Sequence, residues 1–166
     1  MTMTYHLKAT FKGYGTITAE LWPETAPIGV ASVKDLADRG IYDGRTIERL
    51  EPDFIIQPLF YDGRDPEIDI MIAPEYIAQR GKEHLRFHRG TVALAGTADE
   101  ASGSQFYFVL KEKERLNGNF TVIGNVIDGF DVMEKMEQVE VVELLEGGFT
   151  YHQPKEPILM ERVIVE

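Results

Sequence analysis

A chain of 166 residues has the length of one domain, and a domain of this size buries an adequate core without disulfides or structural metals. The sequence contains no cysteine, and its 43% apolar and 27% charged residues exclude collagen-like and disordered classes. Its 17 basic and 28 acidic residues give a net charge of −11, which argues against nucleic-acid binding because such surfaces neutralise phosphates with cations. We therefore expect a single domain over residues 1–166 and no nucleic-acid partner.

The amino terminus has no basic segment followed by an apolar run, and no apolar stretch reaches the ~18 residues that a membrane span requires. We interpret the acidic charge as a solubilising surface. The expectation is a cytoplasmic monomer that does not bind a membrane.

Alternating apolar residues predict two strands at the start of the chain, over residues 5–11 and 17–21. They are separated by Lys12-Gly13-Tyr14-Gly15, a hairpin connection whose glycines can adopt positive φ. A helix follows, with Thr25 as its expected cap, Pro27 in its first turn and Gly40 as its left-handed stop.

The middle of the chain is predicted to form short strands separated by turns. Residues 46–50 and 54–57 form a predicted strand pair, and Asp62-Gly63-Arg64 marks a turn after it. Residues 65–87 are predicted to be mostly loop with short strands. Residues 91–95 and 106–110 are predicted strands around a Gly/Ser-rich loop over residues 96–103.

Asn117-Gly118 is a strong turn signal before a strand over residues 120–126, and Asp128 is expected to open a second helix. A Gly147-Gly148 turn, a loop over residues 154–157 and a last strand over residues 158–165 complete the chain. Many short strands with two isolated helices predict a mainly β fold, a barrel capped at its ends, since closure removes exposed sheet edges.

Several motifs, in order and at suitable separations, resemble the cyclophilin family, and together they span residues 21–136. They are Leu21-Trp22-Pro23-Glu24-Thr25-Ala26-Pro27, Gly40-Ile41-Tyr42-Asp43-Gly44, Arg49-Leu50-Glu51-Pro52-Asp53-Phe54-Ile55-Ile56-Gln57, His88-Arg89-Gly90-Thr91-Val92-Ala93-Leu94-Ala95, Gly103-Ser104-Gln105-Phe106-Tyr107, Leu116-Asn117-Gly118, Val122-Ile123-Gly124-Asn125-Val126 and Gly129-Phe130-Asp131-Val132. The resemblance implies a closed eight-stranded antiparallel barrel with a helix at each end. It also implies peptidyl-prolyl cis–trans isomerisation without a cofactor, acting on proline-containing peptides or unfolded protein segments in assisted folding.

The resemblance places Arg49 at the family's catalytic arginine, and Gln57 and Gln105 at its two glutamines. Rotation about an X–Pro amide needs a donor for the twisted nitrogen and no nucleophile, and a guanidinium offers several N–H groups in a fixed fork. One glutamine would orient the arginine, and the other would hold the substrate backbone. The alternative interpretation is a strand-surface arginine paired with Glu51 on the same face.

The family's proline pocket falls on apolar strand residues, which pattern alone would assign to the core. The positions are Phe54, Ile55, Leu94, Tyr107, Leu116 and Phe120, with Ile55 and Leu94 suited to either role, and Ala95 and Gly96 would offer main-chain groups to a peptide.

This chain departs from the family pattern around that site. Ile47-Glu48 precedes Arg49 where the family has Phe-His, and Pro58-Leu59-Phe60 replaces its Gly-Gly-Asp. Arg115 stands at the tryptophan of the pocket rim, and Phe120 stands at the histidine of its floor.

Three other interpretations remain open. His84 and His88 with Glu83 could hold a metal ion, although a solvated histidine pair is favoured. The domain could bind proline peptides without turnover. It could instead be a small-ligand barrel, which predicts an enclosed apolar lumen.

Overall fold

The computed structural model describes residues 3–60, 65–97 and 99–166. Within these ranges the chain forms twelve strands and two α-helices. The predicted turn at Asp62-Gly63-Arg64 lies outside the described residues.

The helices are α1 (Pro27–Asp38) and α2 (Phe130–Glu137). The strands are β1 (Tyr5–Phe11), β2 (Gly15–Leu21), β3 (Arg45–Thr46), β4 (Arg49–Glu51), β5 (Ile55–Gln57), β6 (Met71–Ile72), β7 (Thr91–Gly96), β8 (Ala101–Val109), β9 (Val122–Asp128), β10 (Val141–Glu146), β11 (Phe149–Pro154) and β12 (Leu159–Val165). Short 3-10 turns lie at Ile77–Gln79, Glu83–Leu85 and Glu114–Leu116.

Ten strands form one antiparallel sheet in the order β3-β12-β1-β2-β9-β7-β8-β5-β4, with β6 added to β8. Its two end strands, β3 and β4, are consecutive in the chain and are joined by Ile47 and Glu48. The predicted mainly β fold with two helices is confirmed as a strongly curled antiparallel sheet. The sheet has ten strands rather than the expected eight, and in the described ranges no backbone ladder pairs β3 with β4, so the expected closure of the barrel is not shown.

Strands β10 and β11 form a separate two-stranded hairpin that packs against β4. Its register runs from Val141 opposite Pro154 to Glu146 opposite Phe149. The turn between them is the predicted Gly147-Gly148, with φ of 58° and 79°. The sequence signalled the turn but not the two strands that it joins.

The first helix begins and ends close to its predicted limits, and Gly40 has the expected left-handed φ of 73°. The predicted cap is wrong, because the helix begins after Ala26 and no side chain of its own entry segment caps it. Instead, the Glu75 carboxylate accepts from the backbone N–H groups of Ile28 (3.2 Å) and Gly29 (2.8 Å). A distant carboxylate thus satisfies the helix start, where an acidic group is also favoured by the helix dipole.

The second helix begins at Phe130, after Gly129 with φ of 94°. The Asp128 carboxylate accepts from the Gly129 N–H at 3.0 Å, so Asp128 shapes the helix entry without being its first residue. In the described ranges no helix is long and apolar enough to span a membrane.

Two packed clusters form the interior. The larger joins α1 and α2 to the inner faces of the sheet, with Leu7, Leu36, Ile56 and Phe106 each at most 1% exposed. The smaller cluster includes Tyr107 and lies under the site described below. A filled interior does not match the enclosed lumen that a small-ligand barrel predicts.

The predicted loop over residues 96–103 is too long at its carboxyl end. Strand β8 begins at Ala101, and Ser102 and Gly103 lie in a fully buried strand that also pairs with β6. The small polar residue Ser102 can be buried in the sheet because its hydroxyl has hydrogen-bond partners there. Its Oγ accepts from the backbone N–H groups of Ser104 and Gln105 at 3.2 and 2.9 Å.

Candidate functional site

A cavity of about 590 Å³ opens beside strands β4, β5, β7 and β8. Its walls are mostly apolar, with a few polar groups among them. It is lined by Arg49, Phe54, Ile55, Gln57, Phe60, Met71, Ala95, Gly96, Thr97, Ser102, Gln105, Tyr107, Arg115, Leu116, Phe120 and Phe149. A concave, largely apolar cavity with a few convergent polar groups is typical of a binding site.

The β4–β5 pair sets the position of the arginine. Arg49 on β4 lies opposite Gln57 on β5 in the antiparallel register, and the other edge of β5 pairs with β8. Since side chains alternate along a strand, Leu50 points into the core at 0% exposure while Arg49 and Glu51 share the other face.

On that face the Arg49 Nε–H donates to Glu51 Oε2 at 2.8 Å. The two side chains are only 16% and 14% exposed, so the ion pair is largely shielded from water. The pairing with Glu51 is thus present at the position that the resemblance assigns to the catalytic arginine. Glu51 engages Nε, and among the residues that the structure describes the two terminal Nη groups have no hydrogen bond and remain for the cavity.

Glu51 is itself held from the hairpin side. His152 donates to it through Nδ1–H (2.6 Å to Oε1) and through its backbone N–H (3.3 Å to Oε2). Burial alone would raise the pKa of the Glu51 carboxyl, but the hydrogen bonds from Arg49 and His152 and the charge of Arg49 hold that pKa below its ordinary value. Glu51 therefore stays ionised and keeps the guanidinium in one orientation.

The two glutamines bond to each other. Gln57 Nε2 donates to Gln105 Oε1 at 3.3 Å and to the Leu59 carbonyl at 2.8 Å. Within the described part of the chain Gln57 makes no hydrogen bond to Arg49, so the expected orienting role belongs to Glu51 instead. Gln105 Nε2 makes no hydrogen bond to any residue that the structure describes. We expect it to face a carbonyl group of a bound peptide.

Apolar residues flank these polar groups in the cavity wall. Ile55, Tyr107 and Leu116 are buried and line the cavity together with the half-buried rings of Phe54 and Phe120. Burial raises the pKa of the Tyr107 phenol, although the charges of Arg49 and Arg115 oppose that shift. The Tyr107 hydroxyl therefore remains protonated at neutral pH.

Arg115, which the resemblance places at the pocket rim, is among the lining residues. Its guanidinium carbon lies 5.1 Å from the centre of the Phe54 ring. Ala95 and Gly96 also line the cavity, at the irregular end of the β7–β8 ladder.

Leu94 is a correction to the predicted pocket. It is 1% exposed and belongs to the main core, where it contacts Gly29 and α1 rather than the cavity. The physical reason is strand alternation: its neighbours on β7 face one side, so Leu94 faces the other.

The sequence did not predict five of the lining residues. They are Phe60, Met71, Thr97, Ser102 and Phe149. Phe60 lies in Pro58-Leu59-Phe60, which replaces the family's Gly-Gly-Asp, and that replacement could have indicated an altered site. Phe149 follows the Gly147-Gly148 turn, and only the presence of an exposed aromatic at a hairpin tip could have indicated it.

The histidine pair does not form a metal site. His84 and His88 are both exposed, and His88 Nδ1 lies 2.8 Å from the carbonyl of Arg89. No group of three or more metal-ligating side chains occurs within the described ranges.

Comparison with known proteins identifies relatives for nearly the whole chain. The family model for cyclophilin type peptidyl-prolyl cis-trans isomerases matches residues 6–165. Peptidyl-prolyl cis-trans isomerase B of Bacillus subtilis is 33% identical over 130 residues, covering 76% of this chain and 87% of that protein. A probable peptidyl-prolyl cis-trans isomerase of Brucella suis is 31% identical over 134 residues, covering 75% of this chain and 67% of that protein.

Solved structures give the same result for the fold. A cyclophilin type peptidyl-prolyl cis-trans isomerase of Cryptosporidium parvum superposes with a TM-score of 0.77 at 19% identity, covering 99% of this chain and 98% of that one. A second crystal structure of it, obtained in the presence of the dipeptide Ala-Pro, gives a TM-score of 0.75 at 19% identity and covers 97% and 98% of the two chains.

Proposed function

The chain belongs to the cyclophilin-type peptidyl-prolyl cis–trans isomerase family, and on this premise we propose that it isomerises X–Pro peptide bonds. The observation that supports this most directly is the shielded guanidinium of Arg49 in the wall of an apolar cavity, beside the Gln57–Gln105 pair. A cavity of this composition can hold a proline ring while it presents donors to the adjoining amide.

The chemistry requires no covalent step. The X–Pro bond resists rotation by about 20 kcal/mol because the nitrogen lone pair is shared with the carbonyl. At the twisted geometry that lone pair is returned to nitrogen, and an N–H of Arg49 would donate to it. The donor is already oriented by Glu51 and largely withdrawn from water, so little reorganisation is needed when the amide twists.

The remaining groups would hold the peptide. Phe54, Tyr107, Leu116 and Phe120 would enclose the proline ring, and Gln105 Nε2 would donate to a substrate carbonyl. Ile55 would support the pocket floor, and the main chain at Ala95 and Gly96 would pair with the extended peptide.

We infer that the partners are proline-containing peptides or unfolded protein segments, met during protein folding in the cytoplasm by a monomer. The relative crystallised in the presence of Ala-Pro is consistent with a proline ligand. A net charge of −11 supports the absence of nucleic-acid and anionic-membrane partners, since both would be repelled.

The test is exchange NMR on a short Ala-Pro peptide, which reports cis–trans interconversion without a coupling protease. We expect line broadening or exchange cross-peaks at substoichiometric protein, and their loss in Arg49→Ala. An unaccelerated peptide in the presence of folded wild-type protein would contradict the proposal.

One observation favours a second candidate, a module that binds proline peptides without turnover. The Glu51 carboxylate lies against the guanidinium and partly neutralises the charge that catalysis would use. That candidate predicts chemical-shift changes of the peptide on binding with an unchanged interconversion rate.

A further inference from the structure

The β10–β11 hairpin carries an aromatic side chain into the same cavity as Arg49 and Gln105. Phe149 is 48% exposed and lines that cavity, whereas its hairpin neighbour Leu145 is 74% exposed and does not. An exposed phenylalanine that faces a cavity offers apolar area that a ligand can still cover.

Phe149 belongs to a small aromatic cluster. Its ring centre lies 5.7 Å from that of Phe60 and 6.5 Å from that of Tyr151, and the Phe60 and Tyr151 rings are 4.7 Å apart. Tyr151 is 7% exposed, so the cluster has a buried base and an open side formed by the other two rings. Rings at these separations attract one another and stiffen the cluster.

The hairpin is fixed to the strand that carries the arginine. His152 donates two hydrogen bonds to Glu51, and Gln153 Nε2 donates to the Glu48 carbonyl at 3.2 Å. These bonds attach the hairpin to β4 and to the residue before it, and so place the aromatic cluster beside Arg49.

The guanidinium of Arg49 lies between the aromatic cluster and the ring of Phe54. Its central carbon lies 5.1 Å from the Phe60 ring centre and 5.3 Å from that of Phe149, and 5.9 Å from that of Phe54 in the predicted proline pocket. An extended peptide advances about 3.3 Å per residue, so a segment of three or four residues can contact Phe54 and Phe149 at once.

We propose that Phe60 and Phe149 form a second subsite, which binds a large apolar side chain of the peptide that carries the proline. This rests on the proposed function, since the proline end of the peptide is placed by it. The rings select an apolar occupant by burial of its surface, and the nearby cation Arg49 disfavours a basic one. The subsite makes the protein selective among X–Pro sequences.

The experiment compares peptides that contain one phenylalanine with an all-alanine peptide. The phenylalanine stands in turn two residues before the proline, directly before it and directly after it, and each peptide is measured by exchange NMR. We expect at least one phenylalanine peptide to exceed the alanine peptide in kcat/KM by about three- to tenfold, the range that one aromatic contact supplies.

Variants assign that preference to the hairpin. Phe149→Ala should bring the ratio of the two peptides close to one, and Phe149→Leu should keep part of it because apolar area remains. Leu145→Ala is the matched control, a truncation on the same hairpin away from the cavity, and should leave the ratio unchanged.

Two results would overturn the subsite: no peptide position shows a preference, or the preference persists in folded Phe149→Ala. Failure of the proposed function is distinct, since then no peptide is accelerated at all. In that case chemical-shift titrations measure the affinities of the same phenylalanine and alanine peptides. A higher affinity for a phenylalanine peptide that is lost in Phe149→Ala supports the subsite, and equal affinities contradict it.

Discussion

The guanidinium of Arg49 and the carboxylate of Glu51 are separated by one residue of β4 and share a hydrogen bond of 2.8 Å on its cavity face. Each side chain is less than one-fifth exposed. An ion pair in this position orients the Arg49 guanidinium and also partly neutralises its charge. We therefore expect replacement of Arg49 to affect activity and replacement of Glu51 to affect the pH dependence of stability.

Arg49→Ala should lower kcat/KM for an Ala-Pro peptide about 100-fold, the effect of removing a preorganised donor. Arg49→Lys should recover only a small part, because an ammonium keeps the charge but lacks the fork that Glu51 aligns. Circular dichroism should show unchanged secondary structure for both variants. A folded Arg49→Ala protein with near-wild-type kcat/KM would move catalysis to another group.

Glu51→Gln should make the free energy of unfolding less dependent on pH in acid. The pKa of Glu51 is lowered in the folded protein, so ionised Glu51 contributes stability above the ordinary carboxyl pKa of 4.5. That contribution is lost as the pH falls through the folded-state pKa. The stability difference between the wild-type protein and Glu51→Gln should therefore be larger at pH 7 than at pH 3.

Urea denaturation at the two pH values measures this difference. An equal stability difference at both pH values would mean that the Glu51 carboxylate does not favour the folded state.

Tyr107→Ala should weaken peptide binding and lower stability together, because the ring is 4% exposed and forms part of the cavity wall. Truncating a buried aromatic costs about 3–5 kcal/mol of unfolding free energy. Tyr107→Phe keeps the wall, so its KM should stay within about twofold of wild type, since the hydroxyl is not needed for uniform binding. A large rise in KM for the folded Phe variant would assign the hydroxyl a direct contact with the peptide.

Asp53→Gly should stabilise the protein by about 0.5–1 kcal/mol. Asp53 has φ of 62° after Pro52, and the Phe54 N–H donates to the Glu51 carbonyl at 3.0 Å, which is a type II turn. A side chain in this region costs about 1–2 kcal/mol, which exceeds the entropy that glycine adds to the unfolded chain. The urea midpoint should rise in Asp53→Gly and should not rise in Asp53→Ala, which keeps the Cβ.

The sequence predicted the parts of the fold that local signals control. The Lys12-Gly13-Tyr14-Gly15 hairpin, the Gly40 helix stop and the Gly147-Gly148 turn all lie where φ must be positive, and the structure has each of them. The Thr25 cap failed because a carboxylate distant in the chain, Glu75, satisfies the helix start instead. No local pattern contains that information.

The same distinction applies to the site. Arg49, Gln57 and Gln105 stand in motifs that the resemblance could align, and all three line one cavity. The aromatic cluster joins Phe60 and Phe149, which are far apart in the chain, and Phe60 lies in a segment that departs from the family pattern. Period-two alternation alone would have assigned Leu94 to the core, and here it was the better guide.

The β10–β11 hairpin has consequences for how this fold can change over time. Its ladder is complete in itself and adds no strand to the ten-stranded sheet, so the sheet's register does not depend on the identity of the residues at its tip. Substitutions at the tip therefore leave the strand pairing of the ten-stranded sheet unchanged. They can change the contacts that the cavity offers to a peptide, because Phe149 at the tip lines that cavity, while the strands beneath stay fixed by packing.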